Sequence, residues 1–148
     1  MSAHASSDAQ LSALYQEIIL DHYRRPRNKG TLEAADEHVE IRNPLCGDEV
    51  ELEVKFDGDT VAELRFTGKG CSISQASASM MTQAVKGKSR DEAAAIFHQF
   101  HRLVHGEAPA DKTLGELRAM AGVSRFPARM RCALLAWGAL NEALGRRR

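Results

Sequence analysis

The chain has 148 residues, of which 43% are hydrophobic, and its 20 basic residues balance its 20 acidic ones. This length suits one compact domain over residues 1–148, with mobile polar ends at about 1–10 and 145–148. The balanced charge gives no global positive field, so no nucleic acid partner is expected. The longest apolar run has eight residues, against the ~18 that a membrane span needs, and no secretory signal is evident. We therefore expect a cytoplasmic protein without a membrane partner.

The first half of the sequence changes from helical to strand periodicity. Apolar residues recur at helical spacing from Leu11 to Arg25, and Pro26 follows. Alternating residues then predict a short strand over 38–42 and a stronger strand over 49–56. The turn Asp57-Gly58 joins the stronger strand to a third one over 62–67. These patterns predict a three-stranded antiparallel sheet.

The second half is helical throughout. The periodicity predicts helices over 72–86, 91–105 and 124–144, with a weaker helix near 114–120. Strands followed by helices are typical of an α+β fold with the helices on one face of the sheet. The fold class that we predict is therefore α+β, a three-stranded antiparallel sheet packed with about five helices.

The three cysteines are the first indication of chemistry. An odd number of cysteines in a reducing compartment argues against a disulfide framework and leaves thiol chemistry or metal ligation. Cys46 and Asp48 flank Gly47 and can converge on one centre, Cys71 stands where strand gives way to helix, and Cys132 lies inside the last helix. Three sulfurs and one carboxylate would complete the tetrahedron that zinc accepts. Three scattered thiols without a Cys-x-x-Cys pair are, however, commonly buried packing residues.

The histidines offer a second group of candidate ligands. His98, His101 and His105 share one stripe of their helix, roughly opposite its apolar residues, and we expect them to face solvent. Such a row could bind a metal, but surface histidines are usually only solvated, so their role stays open. His22 reads as a cation at the end of the first helix or as a partner contact. The basic run over 24–29 allows the same two interpretations, a complement to the helix dipole or a dock for an acidic partner.

Short motifs surround the cysteines and extend to the first helix. They read Asp21-His22-Tyr23, Pro26-Arg27-Asn28, Asn43-Pro44-Leu45-Cys46-Gly47-Asp48, Gly68-Lys69-Gly70-Cys71-Ser72-Ile73-Ser74 and Arg131-Cys132-Ala133. Together these motifs resemble the IscU/SufU family of iron–sulfur cluster assembly proteins. The resemblance implies a small antiparallel sheet packed with helices, with the three cysteines and the aspartate meeting at an exposed end.

Two departures make the chain similar to the SufU branch of that family. Arg131 stands where the IscU type has a histidine, and the segment 126–131 lacks a Leu-Pro-Pro-Val-Lys motif. The 61 positions from Cys71 to Cys132 also hold a helix-sized insert that includes the histidine row. The resemblance implies a zinc-dependent sulfur carrier that accepts persulfide sulfur from a SufS-type cysteine desulfurase. By that resemblance the zinc ligands are Cys46, Asp48, Cys71 and Cys132, and the sulfur acceptor, the catalytic residue, is Cys46.

Two further roles remain open at this stage. An iron–sulfur scaffold would use the same ligands to hold a cluster and pass it to downstream cluster-assembly proteins. A purely structural zinc module would keep all four ligands closed around the ion. The sequence leaves the downstream sulfur acceptor, the zinc affinity and the oligomeric state undetermined.

Overall fold

The computed structural model describes residues 3–44, 47–107 and 112–146, with the side chains of the first helix from residue 13 onward. The elements follow one another as a helix, three strands and then further helices. Their bounds are α1 Ala3–Arg24, β1 Glu37–Asn43, β2 Asp48–Asp57, β3 Thr60–Lys69, α2 Ser72–Val85, α3 Arg90–Val104, a 3₁₀ segment Lys112–Arg125, and α4 Pro127–Gly145.

The sheet has the predicted architecture. Its order is β1-β2-β3, and both neighbouring pairs are antiparallel. Along β2 the side chains of Val50, Leu52 and Val54 are buried, whereas those between them point to the other, more exposed face. That alternation gives the sheet one apolar face for the helices to cover.

Two elements differ from the sequence prediction. Helix α1 begins at Ala3, eight residues before the predicted start at Leu11, because the Ala and Ser residues of this stretch support a helix without adding an amphipathic pattern. The weak helix predicted near 114–120 is a longer 3₁₀ segment, interrupted by non-helical backbone at Gly115. Within the described residues, none of the helices combines the length and the apolar character that crossing a bilayer requires.

The helices lie on the apolar face of the sheet, which confirms the α+β fold class. Helix α4 packs against β1 and β2, and α2 packs against β3. At their centre the fully buried Trp137 stacks on Phe100, with ring centroids 4.6 Å apart. The indole N–H donates to Ser77 Oγ at 3.1 Å, and the Ser77 hydroxyl donates to the Ala133 carbonyl at 2.6 Å. The indole N–H and the Ser77 hydroxyl are thereby both paired, which fixes α2 against α4.

His22 does not serve as an exposed cation at the end of α1. Its side chain is 0% exposed, and its Nδ1 lies 2.8 Å from Ser79 Oγ on α2. Ser79 Oγ also accepts the backbone N–H of Arg27 at 2.8 Å. Nε2 lies 3.4 Å from Glu116 Oε2 in the 3₁₀ segment. The histidine thus ties three elements together inside the core.

Residues of the basic run over 24–29 also make contacts with other parts of the protein. Arg27 Nη2 contacts Asp21 Oδ2 at 2.7 Å, and the Arg27 backbone N–H bonds Ser79 Oγ at 2.8 Å. The Asn28 carbonyl accepts the N–H of Phe66, so this loop is fixed against β3. Arg27 therefore anchors this loop to α1 and α2.

We expect the buried His22 to make the protein less stable in mild acid. Burial, followed by the charge of Arg27, lowers the pKa of His22 below its ordinary value of 6.5. Below about pH 6.5 the unfolded chain therefore binds a proton that the folded chain resists, and the free energy of unfolding falls as the pH decreases. The slope from this one group reaches at most about 1.4 kcal/mol per pH unit.

Urea unfolding between pH 7.5 and 5 measures this effect in wild type and in His22→Gln. We expect a shallower loss of stability toward acid in His22→Gln, and a wild-type profile in His98→Gln, which removes an exposed histidine. Equal slopes in wild type and His22→Gln would show that this histidine is not the responsible group.

Candidate metal centre

Asp48 lies at the start of β2, where the β1–β2 ladder ends in the pair Asn43 and Asp48. Its side chain is only 1% exposed, which is unusual for a carboxylate and requires partners. Asp48 Oδ1 accepts the backbone N–H of Cys71 at 3.0 Å. The carboxylate therefore connects the end of the sheet to the start of α2.

Cys71 is the N-cap residue of α2 and is separated from the end of β3 by Gly70 alone. Its Sγ lies 3.7 Å from Asp48 Oδ2, and its carbonyl accepts the hydroxyl of Ser74 at 3.1 Å. Gly70 precedes it with a φ of +152°, and a Cβ there would overlap the Asp48 carboxylate. The absence of a side chain at Gly70 is thus what allows the carboxylate to reach the helix start.

Cys132 approaches the same point from the first turns of α4. Its thiol is buried and contacts the Ala128 carbonyl at 3.6 Å. Burial raises the pKa of Cys132, and the neighbouring Asp48 and Cys71 raise it further. A cation in the site would favour the thiolate that these surroundings otherwise oppose.

The three side chains fit a metal ion. One ligand atom from each of Asp48, Cys71 and Cys132 lies within 4.8 Å of the other two. The bond lengths of a tetrahedral zinc site place a sulfur and a carboxylate oxygen ~3.6 Å apart, close to the 3.7 Å between Cys71 Sγ and Asp48 Oδ2. Sulfur and carboxylate ligands together suit zinc and iron better than they suit magnesium or calcium.

Cys46, the fourth expected ligand, lies outside the described residues. The flanking backbone is described: the N–H of Gly47 bonds the carbonyl of Asn43 at 2.8 Å, which closes the connection between β1 and β2. Cys46 stands two positions before Asp48 in this connection. Its assignment as ligand and acceptor therefore stays a prediction.

The histidine row forms no comparable cluster. His98 and His101 are exposed and His105 is half-buried. The rings of His101 and His105 stack with centroids 4.2 Å apart, and His105 Nδ1 lies 2.8 Å from the His101 carbonyl oxygen. Across 3–44, 47–107 and 112–146, the groups of three or more ligand atoms close enough to share an ion do not include this row.

Arg129 is a residue of the centre that the sequence analysis did not assign. The pKa of its guanidinium is raised, first by a hydrogen bond to Cys132 and then by the charge of Cys71. Because Arg129 is exposed and interacts with both cysteines, the centre has a positive charge beside it at the protein surface. The sequence spacing could have identified Arg129, because it lies three positions before Cys132 and residues i and i+3 of a helix share a face.

Comparisons with known proteins identify the family of this chain. The model of the NifU-like N-terminal domain matches the chain over residues 14–133. The chain belongs to the NifU-like N-terminal domain family. The family model covers Asp48, Cys71 and Cys132 together, and it also covers Cys46. The resemblance to IscU and SufU proteins is thereby confirmed.

The relatives of this NifU-like chain carry two kinds of name. A Streptococcus pyogenes protein named iron–sulfur cluster assembly scaffold protein IscU is 48% identical over 93% of this chain and 87% of its own length. A Bacillus subtilis protein named zinc-dependent sulfurtransferase SufU is 46% identical over 95% of this chain and 96% of its own. The crystal structure of a putative SUF-system scaffold protein from Fervidobacterium islandicum is 35% identical, with a TM-score of 0.82 over 86% of this chain and 94% of that one.

Proposed function

We propose that this protein is a zinc-dependent sulfur carrier of iron–sulfur cluster assembly, which accepts persulfide sulfur from a cysteine desulfurase. The observation that carries the proposal is the convergence of Asp48, Cys71 and Cys132 within 4.8 Å. The Bacillus relative, which matches almost end to end, is named zinc-dependent sulfurtransferase SufU. Both kinds of relative are named for iron–sulfur or sulfur chemistry, so the broader role in cluster assembly has wider support than the sulfurtransferase step.

The proposed zinc ligands are Cys46, Asp48, Cys71 and Cys132. When bound, zinc supplies the charge that keeps the sulfurs deprotonated at neutral pH. Asp48 orients the start of α2 through the Cys71 N–H, and Cys132 comes from a helix that is packed into the core. These two ligands therefore belong to elements that pack against the rest of the protein, and Cys46 lies between β1 and β2 in the sequence.

Sulfur transfer is assigned to Cys46, as the resemblance to the SufU branch implies. Its thiolate attacks the outer sulfur of a cysteine persulfide on the desulfurase. A new S–S bond forms as the S–S bond of the desulfurase breaks, and the desulfurase cysteine leaves as a thiolate. The outer sulfur keeps its proton, so that Cys46 becomes a persulfide and no external oxidant or reductant is consumed.

The surface beside the centre supports docking of a partner protein. Phe126 is 61% exposed at the start of α4, and Arg125, Arg129 and Arg131 around it are also exposed. An exposed aromatic residue with arginines is the composition typical of interface hot spots. This combination lies within one or two helical turns of Cys132, so a docked desulfurase would approach the thiols.

Desulfurase turnover tests the proposal. Release of sulfide from L-cysteine by a purified SufS-type desulfurase is measured with this protein absent, zinc-loaded, or stripped of zinc by a chelator. We expect the zinc-loaded protein to raise turnover at least several-fold and the stripped protein to have little effect. Cys46→Ser should abolish the stimulation while keeping desulfurase binding, whereas His98→Ala, a remote exposed change, should behave as wild type.

The scaffold role and the structural role would each give a different result. Undiminished stimulation by Cys46→Ser would reject the acceptor assignment. A brown product after anaerobic reconstitution that passes its cluster to an apo-acceptor would favour the scaffold role carried in the name of the Streptococcus relative. Tightly bound zinc without any effect on the desulfurase would indicate a structural metal module.

A further inference from the structure

Three side chains of metal-ligating type meet on the exposed face of the sheet, apart from the centre described above. His38 Nε2 lies 3.9 Å from Glu40 Oε1 and 4.0 Å from Glu51 Oε1. One ligand atom from each of the three residues lies within 4.8 Å of the other two. Because Asp48 and Glu51 are an odd number of positions apart on β2, these side chains lie on the opposite face of the sheet from Asp48.

Strand register brings these groups together. Glu40 pairs directly with Glu51 across β1 and β2, and His38 pairs with Glu53. Glu53 does not contact the histidine, because its Oε1 accepts the N–H of Leu32 at 3.3 Å. The His38 ring instead reaches diagonally to Glu51, a separation that long side chains span on a sheet face.

A hydrogen bond from β3, the strand on the other side of β2 from His38, orients the Glu51 carboxylate. Its Oε2 accepts the hydroxyl of Thr67 on β3 at 3.2 Å, which leaves Oε1 facing His38. The nearby cations Arg42 and Lys69 both contact Glu49, at 3.5 and 3.8 Å. A ligating carboxylate held by a second hydrogen bond is a common feature of metal sites in proteins.

The arrangement favours a divalent cation. Two carboxylates directly opposite each other on antiparallel strands repel and destabilise the pair, and a cation between them removes that repulsion. An imidazole with two carboxylates suits zinc and similar transition ions, whose three-ligand sites keep an open position for water. The bond lengths of tetrahedral zinc require ~3.4 Å between nitrogen and oxygen ligands, so closing from 3.9 and 4.0 Å takes only small side-chain rotations.

We propose that His38, Glu40 and Glu51 form a second, exchangeable site for zinc on the outer face of the sheet. Their side chains are 52%, 54% and 47% exposed, so the ion would remain open to water and to competing ligands. The site would therefore bind zinc more weakly than the buried thiol centre and release it more readily. This proposal does not depend on the function of the thiol centre.

Zinc titration of the protein that already holds one equivalent of zinc tests the second site. We expect calorimetry to show one further equivalent bound, and the NMR signals of the His38 ring to shift in step with it. His38→Ala and Glu51→Gln should each weaken this second equivalent at least tenfold. Glu49→Gln is the matched control, because it removes a neighbouring charge from the same face of β2 and should leave the affinity unchanged.

Three outcomes would overturn the proposal. In the first, wild type binds no second equivalent. In the second, His38→Ala retains the second equivalent with unchanged affinity. In the third, the second equivalent is lost in His101→Ala but kept in His38→Ala, which would place the ion at the helical histidines instead.

Discussion

Gly70→Ala is expected to remove the metal centre and to destabilise the protein. The new Cβ would overlap the Asp48 carboxylate and come within 2.8 Å of Ser74 Oγ, in a backbone conformation with a φ of +152°. Because the carboxylate is buried, it can move away only by giving up its bond to the Cys71 N–H. We expect a loss of about 2–5 kcal/mol in the free energy of unfolding and at least a hundredfold loss of zinc affinity.

Urea unfolding and competition with a chromophoric chelator measure the two effects of Gly70→Ala. Gly87→Ala is the matched control: Gly87 also has a positive φ, of +82°, but a Cβ there meets no atom within 4 Å. It should lose only about 1 kcal/mol or slightly more through backbone strain and keep the wild-type zinc affinity. Wild-type zinc affinity in Gly70→Ala would show that the carboxylate does not need this space.

The two roles of Asp48 can be separated with a pair of variants. In Asp48→Asn the amide oxygen can still accept the N–H of Cys71, but the charged ligand is lost. In Asp48→Ala that N–H is left without its acceptor, at a cost of about 1–3 kcal/mol. Both variants should bind zinc at least tenfold more weakly and exchange it faster, whereas only Asp48→Ala should destabilise the metal-free protein.

Zinc retention against a chelator and unfolding of the metal-free variants measure these effects. Unchanged zinc retention in both variants would remove Asp48 from the ligand set. Equal destabilisation of the metal-free Asn and Ala variants would mean that the bond between Asp48 and Cys71 contributes little to holding α2 against the sheet.

Local patterns predicted most of the fold. The alternation along β2 is strong because one face of the sheet is buried and the other is open, which is the condition under which a period of two appears in sequence. The dipeptide Asp57-Gly58 predicted the β2–β3 hairpin, because Asp-Gly between two alternating segments is a local signal for a tight turn. The convergence of Asp48, Cys71 and Cys132 was predicted partly from chemistry, since Asp48 and Cys71 stand at the ends of elements, and partly from resemblance to a family.

The features that were missed depend on contacts between residues distant in sequence. The burial of His22 is set by Ser79 on α2 and Glu116 in the 3₁₀ segment, and neither is visible in the periodicity of α1. The need for glycine at position 70 arises from Asp48, 22 positions earlier. Short-range patterns carry no information about such pairings, which tertiary packing alone creates.

The ligands of the candidate centre are contributed by the sheet, the start of α2 and α4. An ion held by all three acts as a cross-link that closes chain loops of 23 positions, from Asp48 to Cys71, and 61 positions, from Cys71 to Cys132. Because the site exists only in the folded state, a bound ion raises the resistance of the protein to unfolding. Filled and empty molecules should then differ in how readily proteases cut them, so that a cell could remove preferentially the copies that have lost their ion.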